Sequence, residues 1–407
     1  MSYVSGKIYD KLSLELKLVL ICSRLKLQEK ERETVNKLLT RNINLNLFLQ
    51  LALHHQVYPL VYRCLSALAH PGVNGEVLSA LRRESQSNMI KTLQMVAELV
   101  KILQATMQNG IRMVVMKGFP LAYRLYGDIS LRPSRDLDIL VWPEDVERTR
   151  AIIEKHGYQM HYPISKKVTQ GQLRKWMETN QHFGYWHPVR EIYIELHWRL
   201  DCHGVEIPMS QVEKCLTNMQ IAGQSMNVLG KEELLLSLVL HGASHAWARL
   251  RWLCDIDMVI RQGDFSWERL YQAADDLGVK FVLNQAIILS GEIFATTVPA
   301  DIAQIVYKDT RAKELAFMAL PFIRGNDYKH KNIKLSALLY YHTKKYGFYL
   351  QSGWRKRLSF IARCFLPSVE DLEKSLLPEN LYFMYYIISP FTGFCRRVRN
   401  VARRNMT

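Results

Sequence analysis

Apolar residues recur at helical spacing in three stretches of the first hundred residues: "SLELKLVLICSRL", "NLNLFLQLALHHQVYPLVYRCLSAL" and "SNMIKTLQMVAELVKILQATMQNG". Asn109-Gly110 supplies a C-terminal stop for the last of them. The period then changes. "IRMVVMKG" (111–118) is a short run of buried-strand type that ends in Gly, and "FPLAYRLYGD" predicts a helix closing near Gly127. "RDLDILV" is a second strand, followed by "PEDVERTRAIIEKHG" (143–157), a helix with Pro at its start and Gly at its end. "HFGYWHPVREIYIELHW" (182–198) alternates strongly around His187-Pro188-Val189-Arg190 and predicts a hairpin. Strand, helix, strand, helix and hairpin together imply a mixed α/β sheet. From about 208 helical spacing returns. Its longest stretch, "KEELLLSLVLHGASHAWARLRWLCDIDMVIRQG", predicts two helices, and the rest reads as helical with loops around Gln262-Gly263-Asp264-Phe265 and in "RGNDYKHKN". The expected organisation is a helical region (1–108), an α/β core (109–207) and a second helical region (208–407).

Composition narrows this picture only a little. With 407 residues, 48% hydrophobic and 23% charged, the chain has the make-up of a globular protein with a substantial core. Near the N-terminus, Glu15 and Lys17 interleave with Leu14, Leu16 and Leu18, which predicts an amphipathic helix rather than a secretory leader. No run of 18 or more apolar residues lacks charge, so no transmembrane span is expected. The seven cysteines are scattered and never form CxxC. That spacing argues against a disulfide framework or zinc ribbon and for a reducing, cytoplasmic setting. A formal net charge of +16 favours anionic partners: nucleotides, nucleic acid or an acidic membrane surface.

The candidate chemistry lies in the centre. In "RPSRDLDILVWP" two carboxylates interrupt an apolar strand, and strand alternation points Asp136 and Asp138 to the same face. Unpaired carboxylates are costly on an interior strand, and a bound cation would offset the cost. Hard divalent ions such as Mg²⁺ take carboxylate oxygens together with substrate phosphates. "EIYIELHWRL" places Tyr193, Glu195 and His197 on one face and Ile192, Ile194 and Leu196 on the other; by pattern alone a polar face in water accounts for it equally well. Lys117-Gly118 ends a strand and opens a helix, where backbone N–H groups can approach an anion. Three carboxylates on neighbouring strands beside such a turn suit a two-metal site for phosphoryl transfer.

These residues resemble a known family. "MKGFPLAYRLYGDISLRPSRDLDILV", "IELHWRL" and "HGASHAWARLRWLCDIDMVI" are similar to the poorly characterised bacterial nucleotidyltransferases of the polymerase-β-like superfamily. The resemblance runs over most of the chain and implies an α+β fold, a mixed-sheet nucleotidyltransferase core flanked by N-terminal and C-terminal helical regions. It implies Asp136 and Asp138 as the metal-binding DxD, Glu195 as the third carboxylate, and Lys117 with Gly118 as the phosphate-holding turn. The expected activity moves an NMP from an NTP, ATP among them, to an acceptor hydroxyl with release of pyrophosphate, using Mg²⁺ or Mn²⁺. The acceptor is open among small molecules, RNA and protein. Where the wider superfamily has a small second residue in the turn, this chain has Phe119. That departure keeps a catalytically degenerate nucleotide-binding member as an alternative, beside an RNA- or protein-modifying, toxin-like transferase.

Other signals have two readings each. Arg132 and Arg135 just before the strand suit a triphosphate clamp, or charge-balancing partners of the carboxylates. His241 and His245, four apart on a helix, could share a metal, but Gly242 stands where a zinc-protease motif needs Glu, and helix packing or hydrogen bonding is the plainer role. Asp255 and Asp257 imitate the DxD inside a helical period and should diverge, with Asp255 expected to pair with Arg249 or Arg251. The basic "CRRVRNVARRN" (395–405), after the aromatic "NLYFMYYIISPF", is a solvated helix end or a contact for RNA or an anionic membrane. In the membrane case the cytoplasmic protein would sit at the membrane periphery.

Overall fold

The structure, a computed structural model, describes residues 8–365 apart from 71, 74, 163–176, 179, 202–204 and 326–332. The basic tail at 395–405 and the aromatic stretch before it lie outside the described residues. The N-terminal helices are α1 (Leu14–Cys22), α2 (Glu29–Leu39), α3 (Leu45–His54), α4 (Tyr58–Leu68) and the long α5 (Gly75–Gln108). Ser13 and Asn44 cap α1 and α3 through their side chains. The single periodic stretch around 44–68 is split in two because Gln56 takes φ +57° and Pro59 opens the next helix.

The core follows with β1 (Met113–Val115), α6 (Phe119–Tyr126), β2 (Asp136–Val141), α7 (Val146–Lys155), β3 (Gln159–Tyr162), β4 (His182–His187) and β5 (Ile192–His197). Two short strands, β6 (Leu200–Asp201) and β7 (Glu206–Ile207), pair with each other in a separate ladder. Helix α8 (Met209–Cys215) leads to β8 (Thr217–Ile221) and β9 (Gln224–Val228). The seven-stranded sheet has the order β3-β4-β5-β2-β1-β9-β8. Strand β2 runs parallel to β5 and antiparallel to β1, while β1 runs parallel to β9. The sheet is therefore mixed, as the strand and helix pattern implies.

One expectation is corrected here. The chain does not simply return to helices at 208, because the hairpin β8–β9 adds two strands to the sheet. Its turn is Ala222-Gly223, both residues at positive φ (52° and 73°), the geometry of a tight hairpin connection. Most of the strand residues (Thr217, Asn218, Gln220, Gln224, Ser225, Asn227) are polar, so the hydrophobic pattern is faint.

The last helices are α9 (Lys231–Ser244), α10 (Leu250–Gln262), α11 (Trp267–Asp276), α12 (Lys280–Phe294), α13 (Ala300–Lys308), α14 (Thr310–Ile323), α15 (Ile333–Leu350) and α16 (Gly353–Phe365). No helix among the described residues is long and apolar enough to cross a membrane.

Alternation along the strands divides the apolar side chains between two clusters. Leu137, Ile139 and Val141 of β2, with Ile192, Ile194 and Leu196 of β5, pack with Leu99 and Ile102 of α5. The other face of β1 and β2 contributes Val114, Met116 and Leu140 to a second cluster with α9, α10 and α12. Asp136, Asp138, Glu195 and His197 stand on that second face, where the C-terminal helices cover the sheet.

A buried ion pair joins the two halves. Arg132, 4% exposed, meets the fully buried Asp255 of α10 through Nε (3.0 and 2.9 Å) and Nη2 (2.9 Å). Tyr126, at the end of α6, donates to the same carboxylate at 3.0 Å. Asp255 thus pairs with Arg132, not with the expected Arg249 or Arg251, a partner 123 residues away that spacing within one helix could not identify. Asp257 diverges as expected, facing Arg261 and Thr296. Removing one partner of a buried pair leaves an uncompensated charge and costs about 3–5 kcal/mol, whereas apolar replacement of both is far milder. Arg132→Ala is therefore expected to lower stability by about 3–5 kcal/mol in denaturant titration, and Arg132→Met with Asp255→Leu to recover most of that loss.

Candidate active site

The parallel register of β2 and β5 sets Asp136 opposite Tyr193 and Asp138 opposite Glu195. Three carboxylates from two adjacent strands therefore converge on one face. They border a cavity of about 800 Å³, whose opposite wall includes His241 of α9 and Arg251 and Trp252 of α10. The cavity is neither purely acidic nor purely basic, since Lys117, Arg135, Arg199, Arg249 and Arg251 also line it.

Each carboxylate has a distinct environment. Asp138, 6% exposed, lies 3.9 Å from Lys117 Nζ and accepts from His197 Nε2 at 3.4 Å. Burial alone would raise its pKa, but Lys117 and the His197 hydrogen bond outweigh that and hold the carboxyl well below the usual range. Lys117 and Arg251 act more weakly on Asp136; Ser134 Oγ donates to its carbonyl oxygen at 3.1 Å and lies 3.4 Å from its Oδ1. Burial, then repulsion from Asp138 and Glu195, pushes its pKa up to about 6. Glu195 accepts from His197 Nε2 at 3.2 Å. His197 bridges the two carboxylates, and although burial works against its charged form, those hydrogen bonds raise its pKa.

Lys117 ends the segment after β1, and its Nζ also donates to His241 Nδ1 at 3.2 Å. Burial, followed by Lys117 and His245, drives the His241 pKa well below its ordinary value, so the imidazole is neutral and able to accept. His245 meets the His241 ring edge-on at 4.9 Å and stacks its own ring on Trp252 at 5.1 Å. Both contacts fit the plainer reading of these histidines as hydrogen-bonded or helix-packing groups.

Gly118 caps α6 at φ +69°, a conformation that favours glycine. Phe119 is 2% exposed and packs into the cluster beneath the sheet, and neither it nor Gly118 lines the cavity. The bulky residue in the turn thus leaves the cavity open. Of the two arginines before β2, Arg135 is exposed and borders the cavity. Arg132 also borders it, but its guanidinium is committed to Asp255. Arg251 takes the position on the cavity wall instead: it donates to the Pro133 carbonyl, and burial, then Arg132, pushes its pKa down to about 10. Sequence reading treated Arg251 only as a partner for Asp255. His182 of β4, directly opposite His197, was not singled out at all. The hairpin turn at 188–191 fixes that pairing, so the register of the predicted hairpin held the signal.

Residues 41–295 match the family described as "Uncharacterised nucleotidyltransferase". The chain belongs to this nucleotidyltransferase family. The matched span runs from just before α3 to the end of α12, and so contains β2, β5 and the two helices that wall the cavity. No curated protein matches the chain. Membership makes the α+β core with helical flanks a nucleotidyltransferase core, and nucleotidyl transfer the general activity.

The Asp136 environment gives a measurable consequence in this nucleotidyltransferase. Folding raises that pKa from 3.8 to about 6, so the folded chain holds the proton more tightly than the unfolded chain. The resulting cost is absent below about pH 4 and complete above about pH 6. Asp136→Asn is expected to stabilise metal-free protein by about 3 kcal/mol at pH 7.5, with the gain shrinking as the pH falls and gone below about pH 4, in melts run with EDTA.

Proposed function

We propose that this nucleotidyltransferase moves an NMP from an NTP to an acceptor hydroxyl, using a divalent cation held by Asp136, Asp138 and Glu195. The observation that carries the reading is the in-register convergence of these carboxylates on a cavity that cations also line. The donor set fits a metal: three oxygen ligands crowd one another, and the crowding contributes to the raised pKa of Asp136. An all-oxygen set facing substrate phosphates suits Mg²⁺, with Mn²⁺ as a substitute. When bound, the ion would neutralise charge on the triphosphate and lower the pKa of the acceptor hydroxyl.

The remaining work falls to this chain's own groups. The acceptor oxygen attacks the α-phosphorus, a new P–O bond forms, and the bond to the β-phosphate breaks to release pyrophosphate. Glu195 takes the hydroxyl proton. Lys117 and Arg135 hold the triphosphate, with Gly118 giving the preceding turn its shape. Lys117, 3.9 Å from Asp138, would share its charge between that carboxylate and the triphosphate. Arg132 acts at one remove, by fixing the segment that leads into β2.

Transfer of label from α-labelled NTPs to small alcohols, sugars, tRNA and cellular protein tests the reading and identifies the acceptor class. Asp138→Asn and Glu195→Gln are expected to lower transfer by at least about 10²-fold, and the part-exposed Glu195→Gln to do so with a melting temperature near that of the native chain. EDTA should abolish transfer and Mg²⁺ should restore it. If the native protein binds no NTP in the presence of Mg²⁺, the reading fails.

A further inference from the structure

We propose that His182, Glu195 and His197 form a second cation site, beside the β2 carboxylates, that takes a transition metal of the Mn²⁺, Co²⁺ or Zn²⁺ class in preference to Mg²⁺. One donor atom from each of the three residues lies within 4.8 Å of the other two. Ligands held about 2.0–2.2 Å from one ion stand about 3–4.5 Å from each other, so the cluster already has coordination spacing. The sheet creates it: antiparallel pairing sets His182 of β4 opposite His197 of β5, and Glu195 precedes His197 by two residues on the same face. All three line the cavity.

Two further observations point to a ligand at His182. Its ring is held between Tyr162, stacked at 5.3 Å, and His197, at 5.0 Å, so its orientation is set by packing. Its Nδ1 is buried and has no hydrogen-bond partner among the described residues. Buried polar atoms are rarely left so, and an orphan beside a carboxylate and a second imidazole is the arrangement a metal completes. Bridging of the carboxylates explains His197 without any ion, but it gives His182 no role. Imidazole nitrogens favour borderline metals, whereas Mg²⁺ prefers oxygen, so the donor type separates this position from the one bounded by Asp136 and Asp138. Glu195 belongs to both sets and would bridge the two ions. The role of that second ion in transfer rests on the reading above, while the binding itself does not.

Titration of the intact, metal-stripped protein with Co²⁺, followed by visible absorption, tests the site. Native protein is expected to develop the bands of nitrogen-ligated Co²⁺ and to keep them in about 100-fold excess Mg²⁺. His182→Asn should weaken Co²⁺ binding by at least about tenfold and lose those bands, with Mg²⁺ binding unchanged. Asp136→Asn should retain them. Unaltered bands in His182→Asn, or displacement of Co²⁺ by comparable Mg²⁺, would overturn the proposal. Pulsed EPR of the native protein loaded with Mn²⁺ reads imidazole nitrogen coupling without any variant, and absence of that coupling also overturns it. Transfer with Mg²⁺ but no nitrogen coupling removes this site and leaves the transfer reading standing. Nitrogen-ligated metal in a protein that binds no NTP does the reverse.

Discussion

The ion pair between Arg132 and Asp255 is the constraint on which the site depends. Arg132 lies four residues before Asp136, and Asp255 lies one helical turn after Arg251. One buried contact therefore fixes both the entry into β2 and the rotation of α10 about its axis. Tyr126 adds the end of α6, which begins at the turn carrying Gly118. Two of the walls that face each other across the cavity, β2 and α10, are held in place from one point behind it. Desolvating such a pair is expensive, and its worth lies more in setting geometry than in net stability.

Within the cavity, the carboxylates are unequally matched by the cations beside them. Lys117 and His197 offset Asp138, while Asp136 carries the residual repulsion as a raised proton affinity. The site is thus asymmetric: one carboxylate is fixed in its charged form, and the other gains most from a new cation. His241 completes the set by offering Lys117 a neutral acceptor, which steers the ammonium without competing for charge.

Much of this was legible in the sequence, for reasons specific to each element. Period-two alternation in "RDLDILV" and "EIYIELHW" was enough to place both strands and to sort their faces, because one face of each is fully apolar. The carboxylates followed from that sorting. The β8–β9 hairpin was not legible, since its strands are mostly polar and its turn lacks the usual Asn-Gly or Asp-Gly. Partners that lie far apart in the chain were also hidden. Nothing local links Arg132 to Asp255, or Lys117 to His241, and only packing of α9 and α10 on the sheet brings them together. Phe119 was misleading in a different way: its place in the turn was visible, but its burial beneath the sheet was not.

The cavity wall supplied by α9 and α10 has a consequence for dissecting the chain. A fragment cut at residue 207, after the last strand recognisable by its apolar pattern, would keep all three carboxylates and lose His241 and Arg251. It would also lose β9, the neighbour of β1, and expose the flank of a central strand. The smallest piece that preserves the enclosure must therefore continue through the end of α10, and the helices after the sheet belong to the cavity as much as the strands do.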